Sequence, residues 1–209
     1  MGQNWSLSLR MEASFALFGT AIGTCAIAWG EAGILAVRLP AADDETLRGG
    51  ILQRFPQAAE RPASGEIQKV ILDIQALMDG EFRDLRDARL DLSGIPDFHR
   101  RVYDVTRQID PGQTMTYGQI SNRLKAPGTS RAVGQAMGSN PFPIIVPCHR
   151  VLASSGKSGG FSAPGGVDTK LKMLNIERVH AEADDSLFGS LPLAMAPRRQ
   201  RPVPRARRR

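Results

Sequence analysis

Cysteine, histidine and aromatic residues are scarce in this chain: of 209 residues, two are cysteine, three are histidine and 6% are aromatic. Two thiols, Cys25 and Cys148, make one bridge at most, and a chain long enough to bury a real core needs no such staple, so both read as free thiols. The same two cysteines with the scattered His99, His149 and His180 do not supply the closely spaced ligands of a structural zinc site. No metal or other cofactor is expected. Long hydrophobic runs are missing too. No stretch approaches the roughly 18 apolar residues needed to cross a bilayer, and the N-terminus lacks the basic-then-apolar order of a secretory signal. The expectation is a cytoplasmic protein with no membrane partner, of ordinary globular composition.

Acidic residues run short toward the C-terminus. Residues 1 to 97 carry 9 basic and 14 acidic side chains, residues 98 to 189 carry 11 and 7, and residues 190 to 209 carry seven arginines and no acid. The basic surface therefore belongs to the second half and the tail, where lysine and arginine can replace the counterions of a polyanion such as DNA. Excess charge that only aids solubility is the competing reading.

In the first half, Thr24 to Trp29 and Ile34 to Leu39 are apolar, strand-like runs around Gly30-Glu31-Ala32-Gly33, which predicts a hairpin. Asp44 to Phe55 and Glu66 to Met78 read as helices, the second with Ile67, Val70, Ile71, Ile74 and Leu77 on one face. Nothing catalytic stands out here, and this half is assigned a structural role. Ser93-Gly94-Ile95-Pro96 breaks the pattern and marks a domain boundary. Residues 1–95 are expected to form an α/β domain, 96–182 a mostly α domain, and 183–209 a disordered tail rich in proline and arginine.

Beyond the boundary, Phe98, Val102, Val105 and Ile109 line one face of a helix that Pro111-Gly112 stops. A short helix follows over Thr116 to Leu124, with Tyr117, Ile120 and Leu124 inward or near-inward. Pro127-Gly128 then turns the chain, and Thr129 or Ser130 caps a second helix that runs to about Met137. That is a helix-turn-helix outline. The second helix is rich in small residues, Ala132, Gly134, Ala136 and Gly138, and its glycines cost helix stability. Tight packing against a neighbouring helix or entry into a narrow DNA groove would each account for it.

Chemistry concentrates at Pro147-Cys148-His149-Arg150-Val151. A free thiol is only a few per cent ionised at neutral pH, so a cysteine that attacks carbon needs a base or a cation beside it, and His149 is the candidate. Neighbouring side chains of an extended strand point apart, so the pair requires a turn or a bridging water, and Pro147 allows the turn. A buried structural cysteine is the bland alternative. The segment Gly156-Lys157-Ser158 imitates a phosphate-binding loop, but Val151 stands where that motif needs glycine.

Taken together, Pro147 to Val151, Gly112 to Tyr117, Arg131-Ala132-Val133-Gly134, Asn140-Pro141 and Gly159-Gly160-Phe161-Ser162 resemble the O6-alkylguanine-DNA alkyltransferases. The likeness runs from about Phe98 to Ser162 and resumes through Lys170 and Glu177, while the first half matches in element order alone. It implies a ribonuclease-H-like N-terminal domain and a winged-helix-like C-terminal one. It implies a monomer that binds double-stranded DNA in the cytoplasm, on the nucleoid in a bacterium, and moves the alkyl group of O6-alkylguanine irreversibly to Cys148. In that family's terms His149 is the base acting through water, Glu177 orients it, Asn140 is a hinge, and Tyr117 turns the nucleotide out and protonates the leaving guanine. Arg131 fills the gap in the base stack, and Ala132, Gly134, Gln135, Gly118, Ala126, Ser130 and Ser154 face DNA. Met137, Pro143, Val151 and the loop Ser158, Gly159, Gly160, Phe161, Ser162 form the base pocket. Phe161 stands where many relatives have tyrosine, and Ala163-Pro164 lengthens the pocket loop. A cysteine hydrolase built on Cys148, His149 and Glu177, a non-catalytic sensor of alkylated DNA and a plain DNA-binding regulator stay open on the residues alone.

Overall fold

Both apolar runs of the first half are strands buried on both faces, which is why they read as continuous rather than alternating. The computed structural model describes residues 13–154 and 164–178. Strands β1 (Ser14–Thr20), β2 (Gly23–Gly30), β3 (Gly33–Arg38) and β4 (Ala59–Glu60) form a sheet of order β3-β2-β1-β4. The neighbours of β1 and β2 are antiparallel except β4, which runs parallel to β1 through Ser14↔Ala59 and Phe15↔Glu60. Helix α1 (Asp44–Arg54) covers one face through Ile51, against Phe15, Ala26, Ala28 and Leu35. Helix α2 (Gly65–Met78) covers the other through Val70, Ile74 and Leu77, against Cys25, Ile27 and Val37. The predicted hairpin and both helices are present, and their ends fall within a residue of the expected ones.

Strand β1 sits inside the sheet, yet nothing in the sequence reading anticipated it. The expected turn at Gly33 does have a structural cause. Its φ is +131°, and an added Cβ would lie 2.5 Å from the Arg89 carbonyl oxygen, which accepts the Ile34 amide at 2.8 Å. Only glycine allows that approach.

The second half begins with α3 (Asp97–Arg107), which ends two residues before Ile109. Ile109 is buried all the same, beyond the helix rather than on its face. After β5 (Met115–Thr116) come α4 (Tyr117–Arg123) and α5 (Ser130–Gly138), then a single 3-10 turn at Cys148–Arg150, β6 (Val151–Leu152) and α6 (Gly166–Arg178). Strands β5 and β6 pair in parallel. One apolar cluster joins the halves, from Ile27 and Val37 through Leu77 to Val102, Ile145 and Met173. The chain between α2 and α3 is also clasped. The Arg107 guanidinium donates to the carbonyls of Leu85, Arg86 and Ala88 at 3.1, 2.5 and 2.9 Å.

Candidate functional site

The helix-turn-helix is built as a rigid unit by a small polar knot. Thr116 and Gln119 form a capping box at the start of α4. The Ser121 hydroxyl donates to the Ala126 carbonyl at 2.5 Å and accepts the Thr129 amide at 3.2 Å, while the Thr129 hydroxyl donates to the same carbonyl at 2.7 Å. The expected cap is thus corrected: Thr129 sits at the cap position of α5, but its side chain is spent on the turn and makes no cap bond. Helix α3 holds the pair from behind, through Arg101 to the Leu124 carbonyl at 2.9 Å and Tyr103 to the Ala136 carbonyl at 3.1 Å.

On α5, Val133, Ala136 and Met137 face inward while Arg131, Gln135 and Gly138 are exposed. An added Cβ at Gly134 or Gly138 would meet no atom within 4 Å. Packing against a neighbouring helix therefore does not explain these glycines. Ala132 and Gly134 are half-buried on the same open side, with Ser130, Gly118 and Ala126 half-buried around the turn and Ser154 exposed after β6.

From α5 the chain passes into the thiol segment through Asn140, a two-handed clamp. Its Oδ1 accepts the Phe142 amide at 2.9 Å, and its Nδ2 donates to the Val146 carbonyl at 2.9 Å. Inside the clamp Ile144 holds φ at +73°, a costly conformation for a β-branched residue that persists only where surrounding bonds over-determine it. Pro147 then diverts the backbone, and Cys148, His149 and Arg150 form the 3-10 turn, so the departure from strand geometry that the Cys-His pair requires is present.

The side chains of that turn converge on Glu177 from α6. His149 Nε2 lies 2.8 Å from Glu177 Oε1, Arg150 Nη2 lies 2.8 Å from the same oxygen, and Arg150 Nε donates to Oε2 at 2.9 Å. Arg150 Nη1 donates to the Ile109 carbonyl at 2.5 Å. All three side chains are buried. Burial alone would raise the Glu177 carboxyl, but the charge interactions and hydrogen bonds of His149 and Arg150 outweigh that and hold it at about 2. Burial pushes the His149 imidazole below its usual range, against the pull of Glu177. With Nε2 on Glu177, His149 Nδ1 has no hydrogen-bond partner among the described residues.

Burial likewise pushes the Cys148 thiol up, opposed by a hydrogen bond from Asn140 and by the charge of Lys170. Lys170, fully buried on α6, donates to the Val151 carbonyl at 2.6 Å, and burial lowers its ammonium to about 8. Tyr117 is half-buried, and burial followed by the nearby Cys148 raises its phenol. Cys25, by contrast, is sealed in the sheet with its thiol pushed up to about 11. Cys148 borders a cavity.

That cavity measures about 250 Å³ and is lined by Met137, Asn140, Pro143 and Cys148, with Arg38 and Arg54 arriving from the first half. A larger hollow of about 530 Å³ beside α2 carries Glu66, Asp73, Asp84 and Asp87 with Lys69 and Arg89, and no cysteine, so size does not mark the site. Of the residues expected to form the base pocket, Met137 and Pro143 line this cavity. Val151 does not line it and is buried in the β5–β6 ladder opposite Met115. Ser158 to Ser162 lie outside the described residues, as do His180 and the tail. Sequence reasoning missed Arg150 as a second partner of Glu177, Lys170 as a buried cation near the thiol, and the two arginines of the first half. Among the described residues no cluster of His, Cys, Asp and Glu could hold a metal ion, and no helix is long and apolar enough to cross a membrane.

Residues 97–179 match the family model described as 6-O-methylguanine DNA methyltransferase, DNA binding domain. The chain is 42% identical over 127 residues to a methylated-DNA–protein-cysteine methyltransferase of Mycobacterium tuberculosis, covering 61% of this chain and 74% of that protein. It belongs to the methylated-DNA–protein-cysteine methyltransferase family. A relative of the same name from Methanothermobacter thermautotrophicus is 34% identical over 156 residues, 75% of this chain and 80% of that protein. The crystal structure of M. tuberculosis OGT in complex with DNA superposes with a TM-score of 0.66 at 32% identity, covering 84% of this chain and 99% of that one. The mixed sheet and helices of the present fold are those of this family, and its likeness extends over the first half, where sequence motifs were weak.

Proposed function

We propose that this chain is a single-use DNA repair protein that turns O6-alkylguanine out of a duplex and takes the alkyl group onto Cys148. The observation that carries the reading is a thiol at the edge of a cavity, held in one turn with an imidazole whose far nitrogen is fixed on a buried carboxylate. A proton leaves Sγ through water to His149 Nδ1, and Glu177 stabilises the imidazolium that forms. The sulfur attacks the alkyl carbon, a C–S bond replaces the C–O bond, and the departing O6 of guanine takes a proton from Tyr117. The product is a thioether. It has no hydrolytic exit, so the protein is consumed.

Access to the alkyl carbon requires the nucleotide to leave the stack. The open, small-residue side of α5, with Ala132, Gly134 and Gln135, supports minor-groove entry, helped by Gly118, Ala126, Ser130 and Ser154. Exposed Arg131 occupies the space the base leaves. Asn140 couples α5 to the thiol turn through its two bonds. Pocket closure falls to Met137, Pro143 and the loop 158–162. The parallel β4 beside an antiparallel β1-β2-β3 sheet supports a ribonuclease-H-like description of residues 1–95, and the β5–β6 pair beside the helix-turn-helix supports a winged-helix-like one of 96–182. The working state is a monomer on double-stranded DNA, located where the DNA is.

The test is a pair of variants. Cys148→Ala abolishes transfer to protein while duplex binding is retained. Arg131→Ala slows repair within a duplex far more than reaction with free O6-benzylguanine, which needs no turning out. Transfer that persists in Cys148→Ala, or equal losses on both substrates for Arg131→Ala, contradicts the assignment. Turnover beyond one equivalent moves the protein to the cysteine hydrolases.

A further inference from the structure

The first half of the chain is acidic, yet the only charged side chains it contributes to the lining of the Cys148 cavity are arginines: Arg38 at the end of β3 and Arg54 at the end of α1. No carboxylate lines this cavity among the described residues. Both arginines are exposed, and both are held by defined contacts. The Val37 amide donates to the Pro141 carbonyl at 2.8 Å, which sews β3 to the segment that leads into Cys148. Arg38 Nη2 donates to the Gly50 carbonyl at 3.2 Å, and the Arg54 guanidinium lies 5.5 Å from the centre of the Phe55 ring.

Size and charge together say what passes this point. At about 250 Å³ the cavity falls below the roughly 300 to 1,000 Å³ of pockets that enclose a drug-sized ligand. It admits a flat ring, and a base delivered to Cys148 leaves its sugar and phosphate at the mouth. Guanidinium forks match phosphate oxygens, and a cleft lined by one sign of charge focuses the field on an incoming anion. We propose that Arg38 and Arg54 form an anion-binding lip at the mouth of the Cys148 cavity that grips a backbone phosphate of the strand whose nucleotide has been turned out. The inference rests on Cys148 acting on such a base. It gives the first half a part in DNA handling.

Arg38→Gln, Arg54→Gln and the double variant are compared with the parent on two substrates, a duplex bearing O6-methylguanine and free O6-benzylguanine, which has no phosphate. The loss on duplex exceeds the loss on free base by roughly threefold to tenfold per arginine at low salt. The log-log salt slope of duplex binding falls by roughly 0.9 in the double variant, which gives up the one phosphate the pair shares. Phosphates around the lesion are then replaced one at a time by uncharged methylphosphonate. At one position the parent loses as much as the double variant, and the double variant loses nothing further. Equal losses on the two substrates, an unchanged duplex rate, or methylphosphonate effects that multiply with the variants at every position would overturn the lip. Failure of the underlying reading looks different, because the parent would then modify Cys148 with neither substrate.

Discussion

Replacing Gly134 by alanine sets fold stability against DNA binding. The residue lies in the middle of α5, its φ is not in the left-handed region, and an added Cβ meets nothing within 4 Å. Nothing inside the protein therefore opposes the change, and alanine is favoured over glycine within a helix by about 0.8 to 1 kcal/mol. For a chain of this size that gain corresponds to a rise in Tm of about 2 to 4 °C. If the open side of α5 enters the minor groove, the same methyl group stands between helix and DNA, and duplex affinity falls by roughly tenfold, the equivalent of about 1.4 kcal/mol. Calorimetry and fluorescence anisotropy on one preparation read both numbers. A variant that is more stable and binds DNA as tightly as the parent refutes approach of this face to DNA. A less stable variant refutes the account of the glycine itself.

Three further outcomes follow from the buried charges. Arg150→Gln removes a like charge beside His149 and leaves more of the Glu177 charge to its imidazolium, so the His149 titration followed by proton NMR moves up in pH; a fixed or falling value contradicts the sharing of that carboxylate. Lys170→Met removes a cation that opposes the upward push on the Cys148 thiol, so the pH profile of Cys148 alkylation by iodoacetamide shifts to higher pH, and an unmoved profile contradicts it. Glu177 titrates at about 2 in the fold against an ordinary 4.5. A depressed folded value means that the unfolded chain binds more protons between the two, so its contribution, on the order of 3 kcal/mol, is complete above about pH 5 and lost as pH falls through 4.5 toward 2. Glu177→Gln flattens that part of the stability curve, and a curve that keeps its acid limb argues against the burial of a charged Glu177.

The legible parts of the chain were those whose cause is local. Gly30 and Gly33 announce the hairpin, the spacing of Val70, Ile74 and Leu77 announces α2, and that of Tyr117, Ile120 and Leu124 announces α4. Strand β1 was hidden because Ser14, Ala16 and Gly19 dilute its apolar pattern and its hairpin turn at Ala21-Ile22 carries none of the usual turn residues; its place is set by pairing with β2 and β4. Thr129 illustrates a cap residue whose hydroxyl is drawn away by a local partner, the Ala126 carbonyl. The thiol, the imidazole and Glu177 were nameable by resemblance. Arg150 and Lys170 were carried along by the resemblance without a role, because what gives them one is convergence on Glu177 and Val151 across the fold. Arg38 and Arg54 look like surface charges until β3 and α1 bring them to the cavity.

The central claim is a single transfer to Cys148, and mass spectrometry tests it directly. The protein is incubated with an excess of duplex carrying one O6-methylguanine, digested and weighed peptide by peptide. The account predicts a gain equal to one methyl replacing one hydrogen on the peptide containing Cys148, none on the peptide containing Cys25, and guanine restored in the DNA up to one equivalent of protein. An unmodified Cys148 beside repaired DNA, or repair that continues past one equivalent, would contradict it.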